Sequence, residues 1–532
     1  MYNVLITDHF ADEGLKLLAA DPQISVAYHP GLTGNTLWEA LQEADGWIIR
    51  SQTRVTAEAL EHAPRLRAIA RAGVGVDNVD LPAATQRGIL VFNAPEGNTI
   101  SAAEHTLAMM LALIRHIPQA DHSLRSGRWE RNAFVGVELR GKTLGLIGAG
   151  RVGSEVARRA QSFEMTVVAY DPFLTDTRAS QMGIRKADLH AVLQEADFLS
   201  VHTPLTPETK GMIGTAELRT VKPTVRIINC ARGGIIDEAA LAKALQEGRV
   251  AGAAIDVWEE EPPFSSPLYQ APHTVITPHL GASTYEAQIN VAIDAVKELL
   301  HALHGQPFRN AVNLPPIPAE RFTQLQPYLD LATLLGKLMG QRCVEINEVI
   351  VTYTGTFSGE TSSNSDVAWC TRQLLSALFA RYMGERVNLV NALALAERYG
   401  IKVTEEYNRT TEPGEPFQMR VLVKHHDREQ ASVAATRLGN AIHLVEVDGY
   451  PLDLVPEANM LLFSHTDQPG IIGRIGSRLG EAGVNIASMQ VGRRSPGGQA
   501  IGVLTIDAPI DTQLLEELAT VPGVAQVTQI TL

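Results

Sequence analysis

The sequence predicts an α/β protein in which a doubly wound parallel sheet is inserted into a smaller α/β unit, with two α+β units following. Three observations lead to this fold class. The chain has 532 residues, a length that suits roughly three or four domains. Short apolar strand patterns alternate with helical patterns to about residue 280. A glycine-rich turn joins a strand to a helix within that alternation.

Residues 1–94 and 281–312 are predicted to form the first unit. Its strand-like runs are Val4–Thr7, Ile24–Tyr28, Gly46–Ile49 and Ala68–Ala70. Helical patterns lie between these runs, and this βαβ alternation indicates a parallel sheet. Ala287–His304 predicts a helix that returns the chain to this unit, so residues 95–280 would be an insertion.

The inserted unit opens with a long amphipathic helix, predicted over residues 98–126. That helix is apolar over much of its circumference, which predicts burial, including burial between subunits. A strand–helix–strand pattern then follows in residues 141–172, as Thr143–Ile147, Arg151–Glu164 and Thr166–Tyr170.

Three glycines lie between the first of these strands and its helix, in the spacing G-x-G-x-x-G: Gly148, Gly150 and Gly153. They allow a tight turn, the close approach of a pyrophosphate and close packing of helix on strand. Asp171 ends the second strand, where a carboxylate can accept from both ribose hydroxyls and would repel a 2′-phosphate. The stretch therefore predicts a Rossmann-type domain that binds NAD rather than NADP.

Two more units follow a proline-rich linker, Asn313–Pro318. Residues 319–453 open with an amphipathic helix and contain a strand pattern at Glu348–Tyr353, while the polar residues 354–366 predict a loop. Residues 457–532 show the order βαββαβ, which is the ferredoxin-like split motif.

Composition narrows the classes of partner. A net charge of −14 and a pI near 5.6 argue against binding to nucleic acid or an acidic membrane surface. We expect neither a membrane span nor secretion, because long apolar runs are lacking and the N-terminus enters a strand pattern directly. Three cysteines without a C-x-x-C pair fit a reducing cytoplasm.

Three polar groups follow the glycine turn along the chain. In NCARGG, a strand would deliver Arg232 to the carboxyl edge of the sheet, where its guanidinium can grip a carboxylate. In VITPHLGAS, His279 follows a strand, and imidazole exchanges protons near neutral pH. The acidic run of DVWEEEPP could supply the carboxylate that fixes the imidazole tautomer, from Glu259, Glu260 or Glu261. This set suits oxidation of a 2-hydroxy acid by NAD.

The chain resembles the D-isomer-specific 2-hydroxyacid dehydrogenase family, specifically its long form with an allosteric substrate-binding domain and a C-terminal ACT domain. In the catalytic half the resemblance rests on RAGVGVDNVD (Arg71–Asp80), SAAEHT (Ser101–Thr106), GLIGAGRVG, NCARGG, DVWEEEPP and PHLGAS. Val387–Ile401 resembles the allosteric substrate-binding domain, and His465–Ser488 resembles an ACT domain. The resemblance implies that the first unit is flavodoxin-like.

The resemblance also implies an activity, the NAD-dependent oxidation of 3-phospho-D-glycerate to 3-phosphooxypyruvate at the start of serine synthesis. It implies that Arg232 binds the substrate carboxylate and that Glu261 orients His279, the acid/base. Only the motif register selects Glu261 among its neighbours. The implied cofactor contacts, besides the glycines, are Arg151, Val152, Asp171, Thr203, Cys230 and Asp256. The implied phosphate contacts are Arg50, Arg71 and, from a neighbouring subunit, Arg131. No metal is implied.

As for regulation, the resemblance implies a homodimer or homotetramer in which L-serine binds between ACT domains, at Asp467 and Asn485. An ACT domain that serves assembly alone is the alternative. A hydroxypyruvate or glyoxylate reductase is a second enzymatic reading, and it would not need three arginines to converge on a phosphate. The alternative hypothesis from a different functional class is a non-enzymatic regulator that senses NADH. It has little support, since Arg232, Glu261 and His279 are all present.

Overall fold

The computed structural model describes residues 1–355, 364–408, 416–426 and 428–532. Within these ranges no helix is both long and apolar enough to cross a membrane. The loop predicted at 354–366 falls mainly on residues 356–363, which lie outside the described residues. At its described ends the prediction is wrong, because residue 354 ends a strand and residues 364–366 begin a helix. The described chain contains four sheets.

The first unit is a parallel sheet covered by helices on both faces. Its strands are β1 (Tyr2–Ile6), β2 (Ile24–Tyr28), β3 (Gly46–Ile49), β4 (Ala68–Arg71) and β5 (Leu90–Phe92). Its helices are α1 (Asp12–Ala19), α2 (Gly34–Leu41), α3 (Ala57–Glu61) and α4 (Leu81–Gln86). The strand order β2-β1-β3-β4-β5 is the flavodoxin order, so the predicted fold of this unit is confirmed.

The helix predicted over residues 98–126 is in fact two helices, α5 (Thr99–Ile114) and α6 (Ile117–Arg125). Between them His116 adopts a left-handed backbone conformation, with φ of 55°. Pro118 lies in the first turn of α6, where its missing N–H is tolerated. In an unbroken helix the same ring would clash with the carbonyl of Ile114. The prediction of a single helix is wrong because it overlooked this proline.

The second unit is a parallel sheet with the strand order β12-β11-β10-β9-β6-β7-β8. Its strands are β6 (Thr143–Ile147), β7 (Thr166–Tyr170), β8 (Arg185–Lys186), β9 (Phe198–Val201), β10 (Arg226–Asn229), β11 (Gly252–Ile255) and β12 (Thr274–Ile276). Its helices, after α5 and α6, are α7 (Arg151–Ser162), α8 (Asp176–Gln181), α9 (Leu189–Glu195) and α10 (Glu238–Gln246). The order reverses between β6 and β9, as in a Rossmann fold, and ligands of such sheets bind at that reversal.

The next helix, α11 (Tyr285–Leu303), returns the chain to the first unit and packs its apolar side on that sheet. Thr284 caps α11 by accepting a hydrogen bond from the backbone of Ala287. The Thr284 hydroxyl also lies 2.7 Å from the Ser101 hydroxyl of α5. The two chain crossings between the units are therefore tied together, and the inserted arrangement is confirmed.

The third unit is a mixed sheet packed against helices. Its helices are α12 (Ala319–Arg342), α13 (Asn364–Met383) and α14 (Ala392–Arg398). Its strands are β13 (Glu348–Thr354), β14 (Lys402–Asn408), β15 (Gln418–His425), β16 (Arg428–Leu438), β17 (Ala441–Val447) and β18 (Tyr450–Leu454), in the order β14-β13-β15-β16-β17-β18. Asn388 donates a hydrogen bond of 2.7 Å to the carbonyl of Gly88, so this unit docks on the first one.

The fourth unit has the predicted βαββαβ order. Its elements are β19 (Asn459–Thr466), α15 (Ile471–Glu481), β20 (Ile486–Arg493), β21 (Gln499–Ile506), α16 (Thr512–Ala519) and β22 (Val524–Thr531). The antiparallel strand order β20-β21-β19-β22 confirms the ferredoxin-like fold. Its two helices cover one face of the sheet. The other face sends Met460, Leu462, Ile501, Val503 and Ile530 into the same hydrophobic core as the third unit.

Candidate active site

The glycine turn after β6 has two glycines that the protein's own packing requires. Gly148 has φ of 95°, and a Cβ there would lie 2.6 Å from the carbonyl oxygen of His202. A Cβ on Gly153 would lie 2.2 Å from the carbonyl oxygen of Gly148. A Cβ on Gly150, in contrast, would meet nothing within 4 Å. The turn therefore leaves open space at Gly150, where a ligand could approach the backbone at the start of α7.

Asp171 holds its carboxylate beside this turn. One carboxylate oxygen accepts a 2.9 Å hydrogen bond from the backbone N–H of Ala149, and the other accepts one of 2.8 Å from that of Phe173. A carboxylate oxygen can accept more than one hydrogen bond, so both oxygens can still accept from ribose hydroxyls. The fixed negative charge would repel a 2′-phosphate, as predicted from the sequence.

A cleft of about 470 Å³ opens between the first and second units, at the carboxyl ends of both parallel sheets. The first unit contributes residues 74–77, and the second contributes the segments that follow β6, β9, β10 and β12. The predicted site residues that line this cleft are Arg151, Val152, Thr203, Cys230, Arg232 and His279. The structure thus brings together side chains from widely separated segments.

Buried polar groups form part of the cleft wall. Among the described residues, the Thr203 hydroxyl has no hydrogen-bond partner, which suits a group that meets a bound ligand. Burial, and then the charge of Asp256, raises the pKa of the Cys230 thiol, which favours the protonated thiol over the nucleophilic thiolate. Burial lowers the pKa of His202 to about 4, so its imidazole is neutral.

His279 and Glu261 form a pair at the cleft. Nδ1 of His279 lies 2.9 Å from Oε1 and 3.1 Å from Oε2 of Glu261. The side chains are 44% and 43% exposed, so His279 remains accessible to a substrate. A carboxylate on Nδ1 fixes the ring tautomer and leaves Nε2 free to exchange a proton.

The neighbouring carboxylates have other contacts. Glu260 accepts a 3.1 Å hydrogen bond from the hydroxyl of Ser265. The backbone N–H of Glu259 donates one of 2.6 Å to Glu238, at the start of α10. Of the three adjacent glutamates, the structure places Glu261 against His279.

Arg232 reaches from the second unit to the first. Its Nε donates a 3.2 Å hydrogen bond to Asp77, and its Nη1 donates one of 2.7 Å to the carbonyl of Ala231. Asn229, which is buried, bonds both the carbonyl of Arg232 and the N–H of Ala231 and so shapes this turn. The Arg232 side chain is 28% exposed and lines the cleft, so it can meet an anion bound there.

Arg71, at the end of β4, forms a cationic cluster with Arg232 and Arg50. Burial first, and then the charges of Arg232 and Arg50, lower the pKa of Arg71 to about 10. The carboxylates of Asp77 and Asp8 oppose that shift. The Nε of Arg71 is buried without a hydrogen-bond partner among the described residues. Because the arginine stays protonated at neutral pH, this cluster has a buried donor available to an anion.

Asp256 and Arg131 are among the predicted residues that do not line the cleft. Asp256 is completely buried behind the cleft wall, where its carboxylate binds the loop that carries His279. Arg131 is exposed in a short 3₁₀ turn after α6, outside the cleft lining of its own chain. Within one chain, Arg131 is therefore not part of this cleft.

The predicted effector residues lie on either side of α15 in the fourth unit. Asp467 accepts a 2.8 Å hydrogen bond from Arg493 and one of 3.2 Å from the N–H of Gly497, and these bonds lower its pKa. Asn485 is exposed and donates a 2.9 Å hydrogen bond to Asp507. Within one chain the two residues therefore have separate sets of partners.

Sequence reasoning missed several residues that the geometry puts at the site: Asp77, His105, His202 and Asn229. Three of them fall inside motifs that the sequence analysis had already singled out, namely RAGVGVDNVD, SAAEHT and NCARGG. That location was the available signal, although no motif states which partner each residue meets.

Comparison with protein families gives matches over most of the chain. The family described as D-isomer specific 2-hydroxyacid dehydrogenase, NAD binding domain, matches residues 107–281. The D-3-phosphoglycerate dehydrogenase intervening domain matches residues 324–448, and the ACT domain matches residues 459–523.

Individual proteins are similar over the full length. The D-3-phosphoglycerate dehydrogenase of Bacillus subtilis is 42% identical over 529 residues, which cover 99% of each chain. That of Methanocaldococcus jannaschii is 39% identical over 534 residues, covering 100% of each. Among solved structures, a glyoxylate reductase from Paecilomyes thermophila superposes with a TM-score of 0.54 at 26% identity, covering 58% of this chain and 98% of the other.

Proposed function

We infer how this site works from one premise, that the chain belongs to the D-3-phosphoglycerate dehydrogenase family. The chain is an NAD-dependent enzyme that oxidises 3-phospho-D-glycerate to 3-phosphooxypyruvate, the first step of the phosphorylated route to L-serine. We propose that the cleft between the first two units is the active site. The observation that supports this proposal most strongly is the cluster of Arg50, Arg71 and Arg232 beside the His279–Glu261 pair.

The glycine turn and its surroundings fit NAD. Gly150 leaves room for the pyrophosphate, Asp171 offers acceptors to the adenosine ribose, and Thr203 has an unused hydroxyl. We propose that Arg151, Val152 and Cys230 complete the pocket from the cleft wall. When bound, NAD accepts the hydride from C2 of the substrate.

We propose that His279 is the general base of the oxidation. Its Nε2 takes the proton of the substrate hydroxyl, while Glu261 on Nδ1 stabilises the imidazolium that results. In the reverse direction the same imidazolium returns the proton. The reaction thus leaves the substrate neutral at the oxygen that becomes the ketone.

We propose that Arg232 binds the carboxylate of the substrate and polarises its C2 oxygen. A guanidinium presents parallel N–H groups that match a carboxylate. In the structure, Asp77 accepts from the Nε of Arg232, so the substrate carboxylate either displaces Asp77 or binds the other N–H groups of the guanidinium.

We propose that Arg71 and Arg50 bind the phosphate, with Arg131 supplied by a second subunit. The unpartnered Nε of Arg71 and its position among other positive charges support this assignment. Trp129 and Val135, which flank Arg131, are 78% and 77% exposed. Exposed apolar side chains of this size are typical of a surface that another subunit covers, so we propose a homodimer or a homotetramer.

Arg71→Ala is expected to weaken phosphoglycerate selectively, because charge-assisted hydrogen bonds to the phosphate would be lost. Their loss should lower kcat/KM for phosphoglycerate by the equivalent of about 1.5–3 kcal/mol of transition-state stabilisation. The kcat/KM for unphosphorylated glycerate should be nearly unaffected. Steady-state kinetics on both substrates measure this. Arg67→Ala is the matched control, since Arg67 precedes the opposite end of the same strand. An equal loss on both substrates would place Arg71 in folding or carboxylate binding.

The same assay tests the alternative function. A glyoxylate reductase superposes on 58% of this chain, and glyoxylate is an unphosphorylated acid. If wild type turned over glycerate or hydroxypyruvate as efficiently as their phosphorylated forms, the phosphate assignment would fail. We also propose a cytoplasmic location, since all three cysteines are unpaired.

We propose that serine controls the enzyme through Asp467 and Asn485, at an interface between two fourth units. The carboxylate of Asp467 can meet the serine ammonium. Backbone amides at the start of α15, near Gly470, can meet the serine carboxylate. The signal has a route through the chain, because the fourth unit shares a core with the third, and the third bonds to the first at Gly88.

Asn485→Ala is expected to abolish inhibition by serine and to leave uninhibited turnover intact, because the residue is remote from the cleft. The coupling lost is typically about 1–3 kcal/mol. Serine titrations of full-length wild type, Asn485→Ala and the control Asn440→Ala measure it. If Asn485→Ala and Asn440→Ala responded alike, this site would not be the sensor. If the wild type did not respond to millimolar serine, the fourth unit would serve assembly only or bind another ligand.

A further inference from the structure

The loop that presents His279 is held by a single buried carboxylate, that of Asp256. One Asp256 oxygen accepts hydrogen bonds from the backbone of Leu280 at 2.7 Å and from the hydroxyl of Thr277 at 2.6 Å. The other oxygen accepts from the backbone of Gly281 at 2.9 Å. The carbonyl of Asp256 also accepts from the N–H of His279 at 2.8 Å.

This loop needs such support, because His279 has φ of 56°. A residue with a Cβ is disfavoured in this left-handed region and stays there only when its surroundings fix it. If the loop relaxed, the imidazole would leave its place against Glu261. The position of the proposed base therefore depends on Asp256 staying ionised and in place.

His105 supplies the side chain that faces Asp256 from another element. It lies on α5, which carries the chain from the first unit into the second. Its Nε2 lies 3.2 Å from the Asp256 carboxylate and 3.4 Å from the Thr277 hydroxyl. Its side chain is only 19% exposed.

We propose that His105 is a positioning residue for the oxidation, which donates to Asp256 and thereby holds the loop that presents His279. This inference rests on the proposed role of His279. It adds a residue that acts on the chemistry through another side chain, that of Asp256.

The electrostatics of Asp256 agree with this geometry. Burial on its own would raise the pKa of Asp256, but the hydrogen bond from His105, followed by those from Thr277 and Leu280, lowers it below its ordinary value. Cys230 is a further titratable group that faces Asp256, and it remains a neutral thiol. Without His105, one of the contacts that lower the pKa of Asp256 would be lost, and Asp256 would take up a proton at a higher pH.

A metal ion is the competing explanation for this cluster. The ligand atoms of His105, Cys230 and Asp256 all lie within 4.8 Å of one another. A metal would need the Cys230 thiolate, which burial disfavours, and would compete with the loop amides for the Asp256 oxygens. Hydrogen bonding already accounts for these contacts, so we favour positioning, and the experiment separates the two.

The test compares His105→Leu, which removes the donor, with His105→Gln, whose amide nitrogen can still donate to Asp256. We expect His105→Leu to lower kcat by roughly tenfold to a hundredfold, the cost of a misplaced catalytic group. We expect His105→Gln to restore kcat to within about threefold. The acid limb of the pH profile of kcat/KM should move to higher pH in His105→Leu, because Asp256 protonates earlier as pH falls. The control is His190→Leu, at an exposed histidine of α9.

Thermal unfolding and NADH fluorescence titration show whether each variant is folded. Asp256→Asn and its double variant with His105→Leu complete a cycle, in which we expect strongly non-additive losses. A wild-type kcat in His105→Leu overturns the proposal. So do equal losses in the leucine and glutamine variants with no shift of the acid limb, additive losses in the cycle, or loss of wild-type activity on dialysis against a chelator. If His279→Gln itself retained turnover, the proposed role of His279 would fail instead.

Discussion

Replacement of His279 by glutamine is expected to lower kcat by roughly 10²–10⁴, the usual contribution of a positioned acid or base. Glutamine can still bond to Glu261, but it cannot take the proton of the substrate hydroxyl. Affinity for NADH should change little, because the glycine turn and Asp171, the proposed cofactor contacts, are left unchanged. Stopped-flow or steady-state kinetics, together with an NADH fluorescence titration, measure both quantities.

The chain offers a close control in His273→Gln. His273 and His279 flank β12 and both have φ of 56°, but His273 is exposed and does not line the cleft. The control therefore reproduces the backbone strain of the substitution without touching the chemistry. Near-normal turnover of His279→Gln would remove His279 from the mechanism. An equal loss in both variants would attribute the effect to backbone strain.

Replacement of Arg232 by alanine is the second change with a large expected effect. We expect kcat/KM for phosphoglycerate to fall by roughly 10²–10³, the cost of removing one donor from a charge that develops in the transition state. Unlike Arg71→Ala, this change should affect glycerate as strongly as phosphoglycerate, because both carry the carboxylate. Kinetics on the two substrates distinguish the two arginines.

Arg232→Lys refines this result, because lysine keeps the charge and loses the paired N–H groups. We expect it to recover only part of the activity. Arg226→Lys is the control. Arg226 is the first residue of β10, the strand that precedes Arg232, and its guanidinium lies over the ring of Phe198. Full activity in Arg232→Lys would show that charge alone suffices, and unchanged activity in Arg232→Ala would remove Arg232 from the site.

The sequence was most informative where the chemistry is local. The glycine turn, the strand that precedes it and Asp171 span about 30 residues, and spacing alone predicted their arrangement. The flavodoxin-like, Rossmann-type and ferredoxin-like sheets followed from alternation and resemblance, and their strand orders confirm them. The break in the helix at His116 was missed because apolar periodicity continues across Pro118.

Contacts between segments that are distant along the chain could not be predicted from the sequence. Asp77 and Arg232 are 155 positions apart and come from different units, so only the folded chain shows that they pair. His105 meets Asp256 from a helix that spacing assigned to the core. Similarly, DVWEEEPP could not identify which glutamate contacts His279, because three equal carboxylates are adjacent and the loop path decides. Side-chain partners of this kind depend on tertiary packing rather than on local pattern.

The continuous core beneath the fourth sheet has a consequence for how this chain can change over evolution. A regulatory module joined by a flexible tether can be gained, lost or exchanged with little effect on its neighbour. Here Met460, Leu462 and Ile530 are buried among side chains of the third unit, and Gln341 of α12 forms two hydrogen bonds of 2.9 Å with the backbone of Thr531. Deleting the C-terminal unit would expose apolar side chains of the third unit that are now buried in the shared core. Inheritance of the two units is therefore coupled, and they are expected to coevolve as one block.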